Sequence, residues 1–234
     1  MKGGKLLAQL TLWSFCCSTL FAAIPEYDRF PFALPANSER LVAADVNGDS
    51  LNDLITVVDD TIRIYFHRAN GFDFETGFSE ITFPGTSVGW DLSTNYSTDD
   101  RASIIALVNG TDAYVWPVEN ETILEPKLIK SELPGFLSKG VNRLFFSRDI
   151  NADSAEDLVI PGAGNLHVFI AEENGTYQPG LAIQANTRLR TSLEPNELER
   201  RTGQAVRIPF LRLRDLNSDG FDDLISRTDE QLDV

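Results

Sequence analysis

Short apolar runs broken by polar turns set the pattern of this chain. Ile62, Ile64 and Phe66 alternate with Arg63, Tyr65 and His67 ahead of Asn70-Gly71, and Leu166, Val168 and Ile170 alternate with His167 and Phe169 ahead of Asn174-Gly175. A period of two that ends in Asn-Gly is a strand entering a tight turn. Leu54 to Val58, Leu158 to Ile160 and Leu224 to Ile225 are rich in branched side chains, which also suits strands. Upstream of these lie the runs Arg40 to Ala44, Arg143 to Phe146 and Phe210 to Leu213, read as the preceding strands. Each acidic segment between them therefore joins two strands.

Those acidic segments repeat. DVNGDSLNDLITV from Asp45, DINADSAEDLVI from Asp149 and DLNSDGFDDLIS from Asp215 share the pattern D-x-N-x-D-x-x-x-D-L-[IV]. Ile104 to Val108, then Tyr114, Trp116 and Val118 before Asn120, give a further copy whose acidic loop, around Asp91 to Asp100, has lost the pattern. Aligned on the strand after the loop, the copies start at Asp53, Ser103, Asp157 and Asp223, spaced 50, 54 and 66 residues apart. Four short strands and their turns fill that length, and a sheet of this size cannot bury both faces alone. The expectation is an all-β chain, a β-propeller of four-stranded antiparallel blades over residues 40–234, with about three and a half blades present. Three and a half blades do not close, so a fragment of a longer protein, or closure by another chain, is expected. The extra length before the last copy falls at Gln184 to Ile208, an arginine-rich insertion with a short helix expected near Glu197 to Arg201.

Lys2 and Lys5 precede an apolar run from Leu6 to Phe21, followed by Ala22 and Ala23. That order reads as a signal peptide over residues 1–23, with 24–39 as a lead-in segment and a secreted, periplasmic or extracellular destination. The run is too short and too rich in hydroxyls for a membrane anchor, so no membrane span is expected after cleavage. With 20 Lys+Arg against 35 Asp+Glu, the net charge of −15 has the wrong sign for a nucleic-acid partner. Cys16 and Cys17 are the only cysteines, which removes disulfides and zinc-thiolate sites from everything downstream.

Three carboxylates within nine residues repel one another unless a cation or a proton intervenes. Calcium takes 6 to 8 oxygen ligands, and a loop supplies them from alternate positions. Asp45, Asn47, Asp49 and Asp53 stand at positions 1, 3, 5 and 9, with the Leu51 carbonyl at 7. Asp149, Asn151, Asp153 and Asp157 around Ala155, and Asp215, Asn217, Asp219 and Asp223 around Phe221, repeat the set. An EF-hand needs a bidentate Glu at position 12, where these loops carry Thr56, Ile160 and Ser226. Position 6 wants a left-handed backbone, free for Gly220 and strained for Ser50 and Ser154, so the loop at Asp215 is expected to bind best.

The strand-loop-strand unit resembles the FG-GAP or VCBS repeat, the blade of integrin-α-like β-propellers, from about Arg40 to the carboxyl end. The resemblance implies calcium loops between neighbouring strands of a blade at Asp45 to Asp53, Asp149 to Asp157 and Asp215 to Asp223. It implies no calcium site in the second copy. Similar repeats occur in adhesion receptors, lectins and polysaccharide lyases, so the likeness speaks to fold more than to function.

Other candidate chemistry is sparse. Gly85-Thr86-Ser87-Val88-Gly89 matches the nucleophile-elbow pattern, but the elbow needs a helix after it and Trp90 to Asp100 is polar, acidic and helix-poor. His67 and His167 fall on the more polar strand faces. Trp90, Trp116 and Tyr177 would stack on sugar rings if exposed and otherwise pack between blades. Asn95, Asn109, Asn120 and Asn174 begin N-x-S/T sequons, which matter only in a eukaryotic secretory pathway. The favoured reading is a calcium-stabilised module that binds an extracellular protein or glycan. The alternative is a carbohydrate-active enzyme on the same propeller, which should gather His, Arg, Lys or Tyr at one end of its central channel.

Overall fold

A computed structural model describes residues 33–97, 101–135, 141–162, 164–184, 188–192, 201–205, 210–227 and 232–233. The signal-peptide expectation lies outside the described residues, as do 193–200. All the described elements are strands, and no described helix is long and apolar enough to cross a membrane.

The strands form successive antiparallel sheets in chain order. The first sheet is β1 (Ser38–Ala44), β2 (Asp53–Val58), β3 (Thr61–Tyr65) and β4 (Phe78–Glu80). The second is β5 (Ser87–Ser93), β6 (Ser103–Val108), β7 (Asp112–Trp116) and, beyond the small hairpin β8 (Val118–Glu119) with β9 (Thr122–Ile123), β10 (Lys127–Lys130). The third is β11 (Ser147–Arg148), β12 (Asp157–Pro161), β13 (Asn165–Ala171) and β14 (Tyr177–Gln184). A hairpin of β15 (Arg188–Ser192) and β16 (Arg201–Ala205) separates it from a sheet of β17 (Phe210–Arg214), β18 (Asp223–Arg227) and β19 (Leu232–Asp233).

One register feature recurs in every sheet. The last residue of the first strand faces the first residue of the second, as Ala44 faces Asp53, Ser93 faces Ser103, Arg148 faces Asp157 and Arg214 faces Asp223. Ser103 is thus the structural counterpart of the three aspartates.

Second strands read as unbroken apolar runs because both of their faces are covered. Alternate side chains point to opposite sides of a strand. Ile104, Ala106 and Val108 of β6 pack with Ile55, Val57, Ile62 and Ile64 of the first sheet. Ile105 and Leu107 turn the other way, to Leu158 and Ile160 of β12. Val159 in turn faces away from that layer to meet Leu211, with Leu213 and Leu224 of the last sheet at its edge. Trp90 and Trp116 are fully buried in the first layer, and Tyr177 is buried in the second. None of these three presents a face to a sugar, so the packing alternative holds for them.

First strands also touch their neighbours through the backbone. Trp90 of β5 forms a parallel bridge with Arg143, its N–H donating to Asn142 O at 3.1 Å while Leu144 N donates to Trp90 O at 2.9 Å. Leu213 N of β17 donates to Ile150 O at 2.6 Å. Arg143 also reaches Asp91, Nε to Oδ1 at 2.9 Å, and Ser147 N donates to Asp91 Oδ2 at 3.0 Å.

Four expectations change. Asp91 lies inside β5, buried and ion-paired, rather than in the degenerate loop. The run Arg143 to Phe146 is not itself a strand, since β11 begins just after it and only Arg143 bridges to β5. Arg201, placed in a short helix, opens strand β16, because the insertion pairs with itself as a hairpin. The last copy, expected to stop after its second strand, adds β19 against β18 through Ser226 with Asp233 and Arg227 with Leu232.

Replacing Arg143 with Met should cost about 3 kcal/mol, the low end for stranding a buried charge because Arg143 is partly exposed and Ser147 N still serves Asp91. Chemical denaturation checks this. Asp91→Asn combined with Arg143→Met should recover much of the loss.

Candidate functional site: three acidic loops and a cleft

The three acidic loops share one hydrogen-bond plan, built by their own backbone amides. The carboxylate at position 1 caps the turn: Asp45 accepts Gly48 N at 2.7 Å and Ser50 N at 2.8 Å, and Asp215 accepts Ser218 N at 2.6 Å and Gly220 N at 2.9 Å. The Asn at position 3 accepts the N–H of position 5, in Asp49, Asp153 and Asp219, at 2.9–3.2 Å. Its amide then donates to the carboxylate at position 5, which also accepts the N–H of position 7. These are Asx turns in series, which explains why only Asp and Asn fill these places.

Position 9 does something different. Asp53 is fully buried and accepts Val46 N at 3.1 Å and His67 N at 2.9 Å. Asp157, equally buried, accepts Ile150 N at 3.0 Å and Ala171 N at 2.8 Å. Both carboxylates thus tie the loop start, seven residues back, to the exit of the third strand, fourteen residues on. Asp223 repeats the first bond, from Leu216 N at 3.0 Å. Burial raises the carboxyl pKa of Asp53 and Asp157, the two amides pull it back, and the neighbouring carboxylates push it up further: Asp49 and Asp45 in one case, Asp153 and Asp149 in the other. At Asp215 the balance is reversed, the Gly220 amide leading a set of N–H bonds that hold its carboxyl low.

Position 6 is left-handed in all three loops, with φ of 67° at Ser50, 76° at Ser154 and 90° at Gly220. Position 4 is left-handed as well, at Gly48 (84°), Ala152 (63°) and Ser218 (62°), which the motif pattern concealed because two of the three residues are not glycine. The loop at Asp149 therefore carries two strained residues, the others one each.

The donor set is all oxygen, which suits a hard cation. Asp149 Oδ1 is buried and has no hydrogen-bond partner, whereas the matching oxygens of Asp45 and Asp215 take an amide. A stranded anionic acceptor of this kind fits a cation. In the arrangement seen here the carboxylates are turned onto their own loops, and no three His, Cys, Asp or Glu side chains among the described residues converge tightly enough to hold a metal. Leu51 and Phe221 at position 7 are exposed, while Ala155 packs against the second core layer.

The second copy uses its loop to grip both neighbours. Arg101 Nη1 donates to Asn47 O at 3.2 Å and Ala102 N to Asp45 O at 2.8 Å in the loop of the first sheet. Asn95 exchanges bonds with the Glu156 backbone in the loop of the third sheet, at 2.7 and 2.8 Å, and Tyr96 meets Tyr177 through their hydroxyls. The Asn95 sequon amide is therefore already engaged. Ser87 of the elbow-like pattern is buried within β5, with no turn there. His67 stacks on Phe72 at 4.6 Å, and His167 lies within β13.

Where β5, the segment before β11 and the start of β17 meet, a cleft of about 470 Å³ opens. Asp91, Glu156, Arg143, Arg148, Phe145 and Phe210 are among its lining residues, none of them singled out by motif.

No protein-family model matches the chain, and no curated protein matches it. Among solved structures, a chain of the Photorhabdus luminescens Tc holotoxin pore is similar to it, with a TM-score of 0.42 and 16% identity. That match covers 80% of this chain and 8% of the other, so this chain spans under a tenth of its length. The likeness to FG-GAP repeats rests on the loop pattern itself.

Replacing both Ala152 and Ser154 with glycine should stabilise the protein by about 1 kcal/mol, the relieved strain less the added chain entropy. Gly220→Ala, where an added methyl meets open space, should cost about as much through strain alone. Thermal melts check both signs, and destabilisation by the glycines would contradict the left-handed backbone.

Proposed function

We propose that this chain is a secreted, calcium-stabilised binding module of β-propeller type that contacts an extracellular protein or glycan. The observation that carries the reading is the recurrence of one acidic loop, in one register, between the first and second strands of three sheets. Support for radial blades comes from the stacking of consecutive sheets through shared apolar layers and from the first strands meeting their neighbours by backbone bonds, once as a parallel bridge.

Calcium would be held by Asp45, Asn47 and Asp49, by Asp149, Asn151 and Asp153, and by Asp215, Asn217 and Asp219, with the carbonyls of Leu51, Ala155 and Phe221. Asp53, Asp157 and Asp223 complete the proposed sets while serving as backbone clamps. The ion would supply charge neutralisation, offsetting the neighbouring carboxylates that push up the pKa of Asp53 and Asp157. Binding is favoured over catalysis because each cleft carboxylate is held in place by protein donors, as an anchored acceptor with lone pairs to spare. Asp91 takes Arg143 and the Ser147 amide, Glu156 takes the Ser147 hydroxyl at 2.8 Å and Thr94 N at 3.3 Å, and no histidine lines the cleft.

Calcium at a hundredfold excess over its Kd should stabilise each loop by about 2.7 kcal/mol, and a chelator should lower the melting temperature. Asp219→Ala should blunt that response, whereas Asp60→Asn, at an exposed turn, should not. No thermal shift with millimolar calcium would leave the loops as acidic turns.

A further inference from the structure

Phe145 is held in a conformation that a bulky residue rarely adopts. Its φ is 55°, in the left-handed region, and the residue is 47% exposed and lines the cleft. Two arginines keep it there. Arg148 Nε donates to the Phe145 carbonyl at 2.7 Å, and the Arg143 guanidinium lies 4.5 Å from the ring centre. Strain spent to present an apolar ring to water has no return in core packing, and such outliers gather at ligand clamps. From β17, Phe210, a residue 44% exposed, brings to the cleft a second ring backed by Arg227 at 5.2 Å.

The polar lining is balanced. Two guanidinium groups, of Arg143 and Arg148, accompany two carboxylates, of Asp91 and Glu156. A ligand of strong charge of either sign meets as much repulsion as attraction. A neutral ligand with many hydroxyls does better, since each hydroxyl both donates to a carboxylate and accepts from a guanidinium. One that also has an apolar C–H face can lie on an aromatic ring. A volume near 470 Å³ is in the range of small-ligand sites.

We propose that this cleft is a saccharide-binding site for neutral sugar rings, with Phe145 as the stacking platform and Phe210 as its second wall. The proposal rests on the reading of the chain as a binding module and names its ligand class and location.

The full chain in calcium is titrated calorimetrically with neutral cello-, xylo-, malto- and chito-oligosaccharides, and with an oligogalacturonate as the acidic comparator. Phe145→Gly removes the ring while glycine accepts the left-handed backbone, so the fold is kept. Phe145→Asn is the second such variant, and Leu128→Ala is an exposed control outside the cleft and the acidic loops. The expected result is binding of at least one neutral oligosaccharide, weakened tenfold or more in both Phe145 variants and within twofold of wild type in Leu128→Ala. Absence of neutral sugar binding, binding of the acidic oligomer alone, or unchanged affinity in a folded Phe145 variant overturns the proposal. A calcium thermal shift measured on the same samples separates the readings: a shift without sugar binding defeats the saccharide site and leaves the calcium module standing.

Discussion

The fold depends on a buried carboxylate that closes the strand-loop-strand unit of the first and third sheets. Asp53 and Asp157 sit out of water at the head of the second strand, and each binds one amide seven residues back and another fourteen residues on. A carboxylate accepting two N–H groups in a dry setting makes strong, directional bonds that offset part of its desolvation. The loop start and the third-strand exit are thereby fixed to one point. With these ends pinned, the residues between have no slack, and their turns fall in the same place in each copy.

Pinned units then stack. Because the second strands are covered on both faces, every sheet needs neighbours, and the apolar layers between sheets supply most of the stabilisation. The second copy shows what happens without the aspartate. Its counterpart is Ser103, and its loop, which has lost the repeated pattern, instead holds the loops of the first and third sheets through Arg101, Ala102 and Asn95. The cleft lies beside that grip, bounded by residues from the second, third and last sheets.

Much of this was legible in the sequence. Period-two alternation and branched runs marked the strands, and the repeat spacing placed four equivalent starts that the register bears out at Asp53, Ser103, Asp157 and Asp223. Backbone handedness at position 6 also followed from Gly220 alone. Less visible was anything set by long-range pairing. Arg143 and Asp91 are 52 residues apart, so the strand propensity of the Arg143 run gave no hint that it serves as a bridge and an ion pair. The hairpin in the arginine-rich insertion is held by its own pairing and carries no apolar alternation. The clamp bonds of position 9 were hidden, because spacing alone does not show which backbone amides a carboxylate accepts.

Amide hydrogen exchange at His67 and Ala171 tests the clamp most directly, since each of these donors stands at the exit of a third strand and is bound to a buried carboxylate. The account predicts that both amides exchange only on global unfolding, as slowly as the core amides of Ile55 and Val159, in the presence or absence of calcium. Exchange of either amide at the rate of an exposed loop would contradict it.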